Sequence, residues 1–80
     1  MQFYNQIRRI ERLDLLLRRR ATGTPEELAE RLGISVSQVY QVIRLMKDEL
    51  KAPIYYSRVD RSYCYRNNVK FVCDFIEVEE

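Results

Sequence analysis

The chain has 80 residues, a net charge of +2, and a composition that is 46% hydrophobic and 32% charged. That length makes one small domain with a modest core, because chains of this size bury only about 60% of their unfolded surface. Histidine is absent and the two cysteines are Cys64 and Cys73, so the commonest general base and nitrogen ligand are missing and a zinc site has too few ligands.

No Gly-rich phosphate loop or metal cluster accompanies them, and the expectation is a non-enzymatic domain without a cofactor or metal. The apolar runs at 15–17 and 71–73 are far too short to span a bilayer, and no signal-peptide pattern is present. A cytoplasmic location follows as an expectation. There the two thiols are reduced packing residues, although Arg61 and Arg66 near Cys64 would favour a thiolate. Charge is uneven along the chain. Residues 1–20 hold six arginines against Glu11 and Asp14, a local +4, while the last ten carry Asp74, Glu77, Glu79 and Glu80, a local −4. A basic body with an acidic end suits an anionic partner.

Residues 5–20 are predicted to form an amphipathic helix. Ile7, Ile10, Leu13 and Leu17 recur at spacings of three and four and line up one face, with Leu16 widening it. Asn5 is a candidate N-cap, and Arg18, Arg19 and Arg20 suit the negative end of the macrodipole. A second helix is predicted over 25–32. Thr24 is its N-cap, Pro25 stands at N1, Glu27 closes a capping box, and Gly33 can take the left-handed conformation that ends it. A third helix follows at once over 36–50. Ser35 and Gln38 make another capping box, and Val39, Val42, Ile43, Met46 and Leu50 form an apolar face.

The composition then turns to strand. Residues 54–58 and 62–66 are rich in tyrosine and flank Val59, Asp60 and Arg61, which predicts a β-hairpin over 54–66. Residues 69–78 are a candidate third strand, with a short helix as the alternative. The fold class expected is α+β, three helices followed by a two- or three-stranded antiparallel wing.

Helices two and three carry the most specific signal. Ala29 is small where the helices cross, Gly33 allows the sharp turn, and Ile34, Val39 and Val42 fill the contact. This is the pattern of a helix-turn-helix, whose second helix commonly enters the DNA major groove. The segments 9–13, 21–29, 32–35 and 52–54, leading into a Tyr-rich hairpin, resemble the N-terminal winged helix-turn-helix domain of WYL-type and deoxyribose-repressor-type bacterial regulators. The resemblance covers residues 7 to 66. It implies sequence-specific double-stranded DNA binding in transcription regulation, with helix three in the groove and the wing on the backbone.

Carried over by position, the resemblance makes Ser35, Val36, Ser37 and Gln38 candidates for phosphates or base edges. Tyr40, Gln41 and Arg44 form the next exposed turn. Gln41 has the amide geometry for adenine, and Arg44 suits guanine or phosphate. Arg58 and Arg61 on the wing would meet phosphates, and the helix start at Thr24 would offer backbone N–H groups. Relatives often carry cations where this chain has Val36, Ser37 and Gln38. That departure weakens charge neutralisation and keeps open an alternative, a winged helix used for protein–protein interaction or assembly.

The remaining features have plainer readings. Tyr55, Tyr56, Tyr63 and Tyr65 are expected to be cross-strand packing partners rather than stacking platforms. The charged face with Arg8, Arg12 and Arg19 reads as solvated. Phe3, Tyr4, Phe71 and Phe75 lie near the two ends of the chain and are candidate contacts of a homodimer.

Overall fold

The computed structural model describes residues 2–79. Three helices, α1 (Gln2–Arg18), α2 (Pro25–Leu32) and α3 (Val36–Asp48), precede a hairpin of β1 (Ile54–Ser57) and β2 (Ser62–Tyr65). The strands are antiparallel, with Ile54 opposite Tyr65 and Ser57 opposite Ser62. This is the α+β, winged-helix arrangement expected.

One core joins all five elements. Ile10, Leu13 and Leu17 of α1 meet Leu28 and Ala29 of α2, Val39, Val42, Ile43 and Met46 of α3, and Ile54, Tyr63 and Tyr65 of the hairpin. Leu32, Ile34 and Val36 pack against its edge. Two members of the expected apolar faces sit further out: Ile7 is half-buried and Leu50 is exposed. Leu50 lies beyond the last residue of α3, so its backbone no longer follows the helical face.

The helix ends show why the chain folds this way locally. Thr24 accepts a hydrogen bond from the Glu27 backbone N–H, and the Glu27 carboxylate accepts one from the Thr24 N–H at 2.9 Å. The Thr24 backbone N–H, and then its hydroxyl, hold the Glu27 carboxyl below its ordinary value. Ser35 and Gln38 repeat this box at the start of α3. Gly33 ends α2 at φ 68°, its N–H and that of Ile34 turning back onto Glu30 and Ala29. Arg20, at φ 54°, ends α1 in the same way, with its N–H on Leu17 and that of Ala21 on Leu16.

Glycine is needed more at one of these turns than at the other. A Cβ at Gly33 would meet nothing within 4 Å, whereas a Cβ at Gly23 (φ 75°) would stand 2.9 Å from Glu27 Cβ. Gly33→Ala should therefore cost only the left-handed strain, about 1 kcal/mol. Gly23→Ala adds a clash that displaces the capping Glu27 and should cost about 2 kcal/mol. Urea denaturation of both variants tests the order, and equal losses would refute it.

Four boundaries differ from expectation. α1 begins at Gln2 and runs through Asn5, so Asn5 is a helical residue and not a cap. The helix stops at Arg18 rather than Arg20, because Arg20 takes the left-handed turn. α3 ends at Asp48, not at 50, and Lys51 at φ 57° turns the chain toward the hairpin. Finally, no strand or helix forms among the described residues after 65. The Phe71 N–H goes to the Asp14 carboxylate at 2.9 Å and not to a neighbouring strand. Val69 and Phe71 pack on the core, but Val72, Phe75, Ile76 and Val78 are all exposed, so the inward face stops at 71 and nothing holds the rest in a ladder.

Candidate nucleic-acid interface

The residues proposed as DNA contacts fall on two neighbouring elements, α3 and the hairpin. Ser37, Tyr40, Gln41 and Arg44 have the helical spacing that stacks side chains on one face. All four are exposed and line a shallow concavity of about 370 Å³. Their face is opposite the one that buries Val39, Val42, Ile43 and Met46.

The α3 start is engaged differently. Gln38 Oε1 accepts from the Ser35 N–H at 3.0 Å, while Ser35 Oγ accepts from the Gln38 N–H at 3.1 Å. Both side chains are exposed but serve as caps. Val36 is half-buried and packs on the core, so its side chain is a structural contact. Thr24 is likewise a half-buried cap. The N–H groups of Thr24, Ser35 and Gln38 are themselves donated within the two capping boxes.

The hairpin places Arg58 and Arg61 at its exposed tip. Arg61 has φ 51°, a left-handed conformation that turns the chain into β2. The tip is fixed from below. Ser57 Oγ donates to Asp60 Oδ2 at 3.1 Å and accepts the Asp60 N–H at 3.2 Å. Asp60 also pairs with Arg20 at 2.9 Å. That pair is solvent-exposed, and such pairs contribute little stability; its role is to orient the tip against the end of α1. Val59 stands 95% exposed at the same tip.

The tyrosines pack, as expected. The Tyr56 and Tyr63 rings meet edge to face at 5.0 Å, and the Arg66 guanidinium lies 4.9 Å from the Tyr55 ring centre. Burial, then Tyr40, Tyr56 and Glu26, push the Tyr63 phenol above its ordinary value. One side of α3 faces α1, across a concavity of about 190 Å³ lined by Gln6, Arg9, Gln38, Gln41, Val42 and Leu45. Arg9 was not among the residues singled out from the sequence. Only the arginine-rich run hinted at it, since the α1–α3 juxtaposition is tertiary.

Cys64 is buried in β2 and Cys73 is exposed in the C-terminal segment, both as free thiols. Among the described residues no three Cys, Asp or Glu side chains gather as metal ligands would. Of the four aromatic residues considered for dimer contact, Phe71 is half-buried and packs on this chain's own core, whereas Phe3, Tyr4 and Phe75 are exposed. Among the described residues no helix is long and apolar enough to cross a membrane.

No curated protein and no solved structure is significantly similar to this chain. The family model for the HTH domain matches residues 8–58, from within α1 to the turn after β1, and the chain belongs to that helix-turn-helix domain family.

Proposed function

We propose that this domain reads double-stranded DNA as a small cytoplasmic transcription regulator, with α3 in the major groove and the hairpin on the adjacent backbone. The single observation that carries the reading is the exposed stripe Ser37, Tyr40, Gln41 and Arg44 on a helix capped at its start. An α-helix fits the major groove, about 12 Å wide, and side chains on its outer face reach base edges. Gln41 matches the paired donor and acceptor of adenine, and Arg44 the two acceptors of guanine. Membership of the helix-turn-helix family supports the same reading. The domain carries out no chemistry of its own and needs no cofactor. Two copies meet through the exposed Phe3, Tyr4 and Phe75, and engaging two half-sites raises an otherwise modest affinity by effective concentration.

Titration of duplexes selected from a random library, across a range of salt, tests this. Binding should fall linearly on a log–log plot with salt, by about 0.9 per neutralised phosphate. Two chains should bind per selected duplex. Arg44→Ala and Gln41→Ala should each weaken selected duplexes about tenfold and relax the preference at one base pair. An intact fold with no binding at low salt would overturn the proposal and favour the protein-interaction alternative, which the cap-committed start of α3 also suits.

A further inference from the structure

α3 brings few cations to a polyanion. Ser35 and Gln38 are caps, Val36 is packed, and Arg44 is the one arginine on the outer stripe. The cations stand next door on α1. Arg8, Arg9 and Arg12 line, with Asn5, Glu11 and Leu32, a concavity of about 580 Å³ between α1 and the end of α2. Arg9 is half-buried and also lines the smaller concavity shared with Gln38 and Gln41 of α3. One guanidinium thus links the arginine cluster to the edge of the base-reading stripe.

Glu11 lines the same concavity but forms no ion pair with the three arginines. Among the described residues the ion pairs are Arg18–Asp14 and Arg20–Asp60, and none of Arg8, Arg9 and Arg12 takes part in one. Arg8 is held at 5.9 Å from the Tyr4 ring centre instead, which fixes its direction without neutralising it. Three guanidiniums against one carboxylate leave the concavity net positive, and such a cluster favours an anion bridging it. Their planar forks match phosphate oxygens two at a time.

The geometry supplies the anion. A helix with its side chains is about 10–12 Å across and fills the major groove, so a seated α3 has one phosphate strand on each flank. The α1 concavity, beside Gln38 and Gln41, lies along one of these flanks. We propose that Arg9, together with Arg8 and Arg12, is a phosphate clamp for the DNA strand on the α1 side of α3. The clamp rests on the DNA-binding reading above and explains how that reading survives a recognition helix so poor in charge. It positions the domain and carries no base preference.

Salt titrations of single variants test it. Arg9→Gln and Arg12→Gln should each lower affinity about equally for selected and random duplexes and reduce the salt slope by about 0.9. Arg9→Lys should keep the slope, which separates charge from packing at a half-buried position. Lys70→Ala is the control. Lys70 precedes Phe71, which docks on Asp14, about 140° around α1 from Arg9 at 100° per residue. It should bind like the parent protein. Parent-like slopes in Arg9→Gln and Arg12→Gln, beside a weakened Arg44→Ala, would overturn the clamp and leave the base-reading helix standing. Failure of the parent protein to bind any duplex would overturn both.

Discussion

Asp14→Ala should destabilise the domain by about 3 kcal/mol, because it strips the acceptor from a buried hydroxyl and a half-buried amide at once. Asp14 is 2% exposed. Its Oδ1 accepts from the Tyr65 hydroxyl at 2.7 Å and from the Phe71 backbone N–H at 2.9 Å. Its Oδ2 accepts from Arg18 Nε at 3.0 Å. Removal of the carboxylate leaves the phenol and the amide without partners, each costing about 1–3 kcal/mol. In a domain this small the midpoint of thermal unfolding should drop by about 15–20 °C.

The two oxygens allow a sharper test. Asp14→Asn keeps an acceptor for Tyr65 and Phe71 and turns only its amide toward Arg18. The Arg18 side chain is 36% exposed and can swing into water, so this variant should lose only about 1 kcal/mol. Arg18→Ala should be similarly mild. Should Asp14→Ala prove no worse than Arg18→Ala, the carboxylate would be a surface ion pair and not the anchor of the C-terminal segment.

The same network predicts an alkaline limb. Burial first, and then the Asp14 hydrogen bond, raise the Tyr65 phenol well above its ordinary value of 10.0. The folded state holds this proton more tightly than the unfolded chain does. Its contribution to stability is therefore complete below pH 10.0 and is lost as the pH rises toward the folded-state value. Tyr65→Phe should flatten that part of the stability–pH curve, leaving the smaller limb from Tyr63, whose phenol is raised in the same direction.

The range of each hydrogen bond explains what could be read from the chain and what could not. The α2–turn–α3 unit is written in contacts three residues long: Thr24 with Glu27, and Ser35 with Gln38. A local pattern carries such contacts, and the expected caps, turn and outer stripe all stand where the spacing put them. The Asp14 bonds span 51 and 57 residues, and no spacing rule reaches so far. In the sequence Asp14 was only an acid to set against six arginines. The Arg9 neighbourhood is hidden for the same reason, since it needs α1 laid beside α3. The failed third strand is a different case. Residues 69–78 have strand composition, but a strand needs a partner edge. Here only Val69 and Phe71 turn inward, and Phe71 spends its N–H on a side chain.

Thr22 and Ser62 form the second long-range joint, and their substitutions should be costly and coupled. Thr22 is fully buried and Ser62 is 1% exposed. Thr22 Oγ1 accepts the Tyr63 N–H at 2.8 Å, Ser62 Oγ accepts the Thr22 N–H at 3.0 Å, and the two hydroxyl oxygens are hydrogen-bonded at 3.0 Å. Three bonds thus fasten the loop between α1 and α2 to β2, across 40 residues of sequence. They set the hairpin against the helices and so fix where Arg58 and Arg61 stand relative to Arg44. Thr22→Val keeps the shape but leaves the Tyr63 N–H unpartnered, and Ser62→Ala does the same to the Thr22 N–H. Each should cost about 2 kcal/mol. Both single changes break the hydroxyl–hydroxyl bond, so the double variant should cost about 1 kcal/mol less than their sum. Thr22→Ser, which loses a methyl but keeps the oxygen, should lose only about 1 kcal/mol. Denaturation of the four variants in urea, with unchanged slopes, reads these differences. Strict additivity of the two single changes would mean that the hydroxyls do not share a bond. The loop would then be fastened to β2 by the Tyr63 and Thr22 N–H bonds without a shared hydroxyl pair.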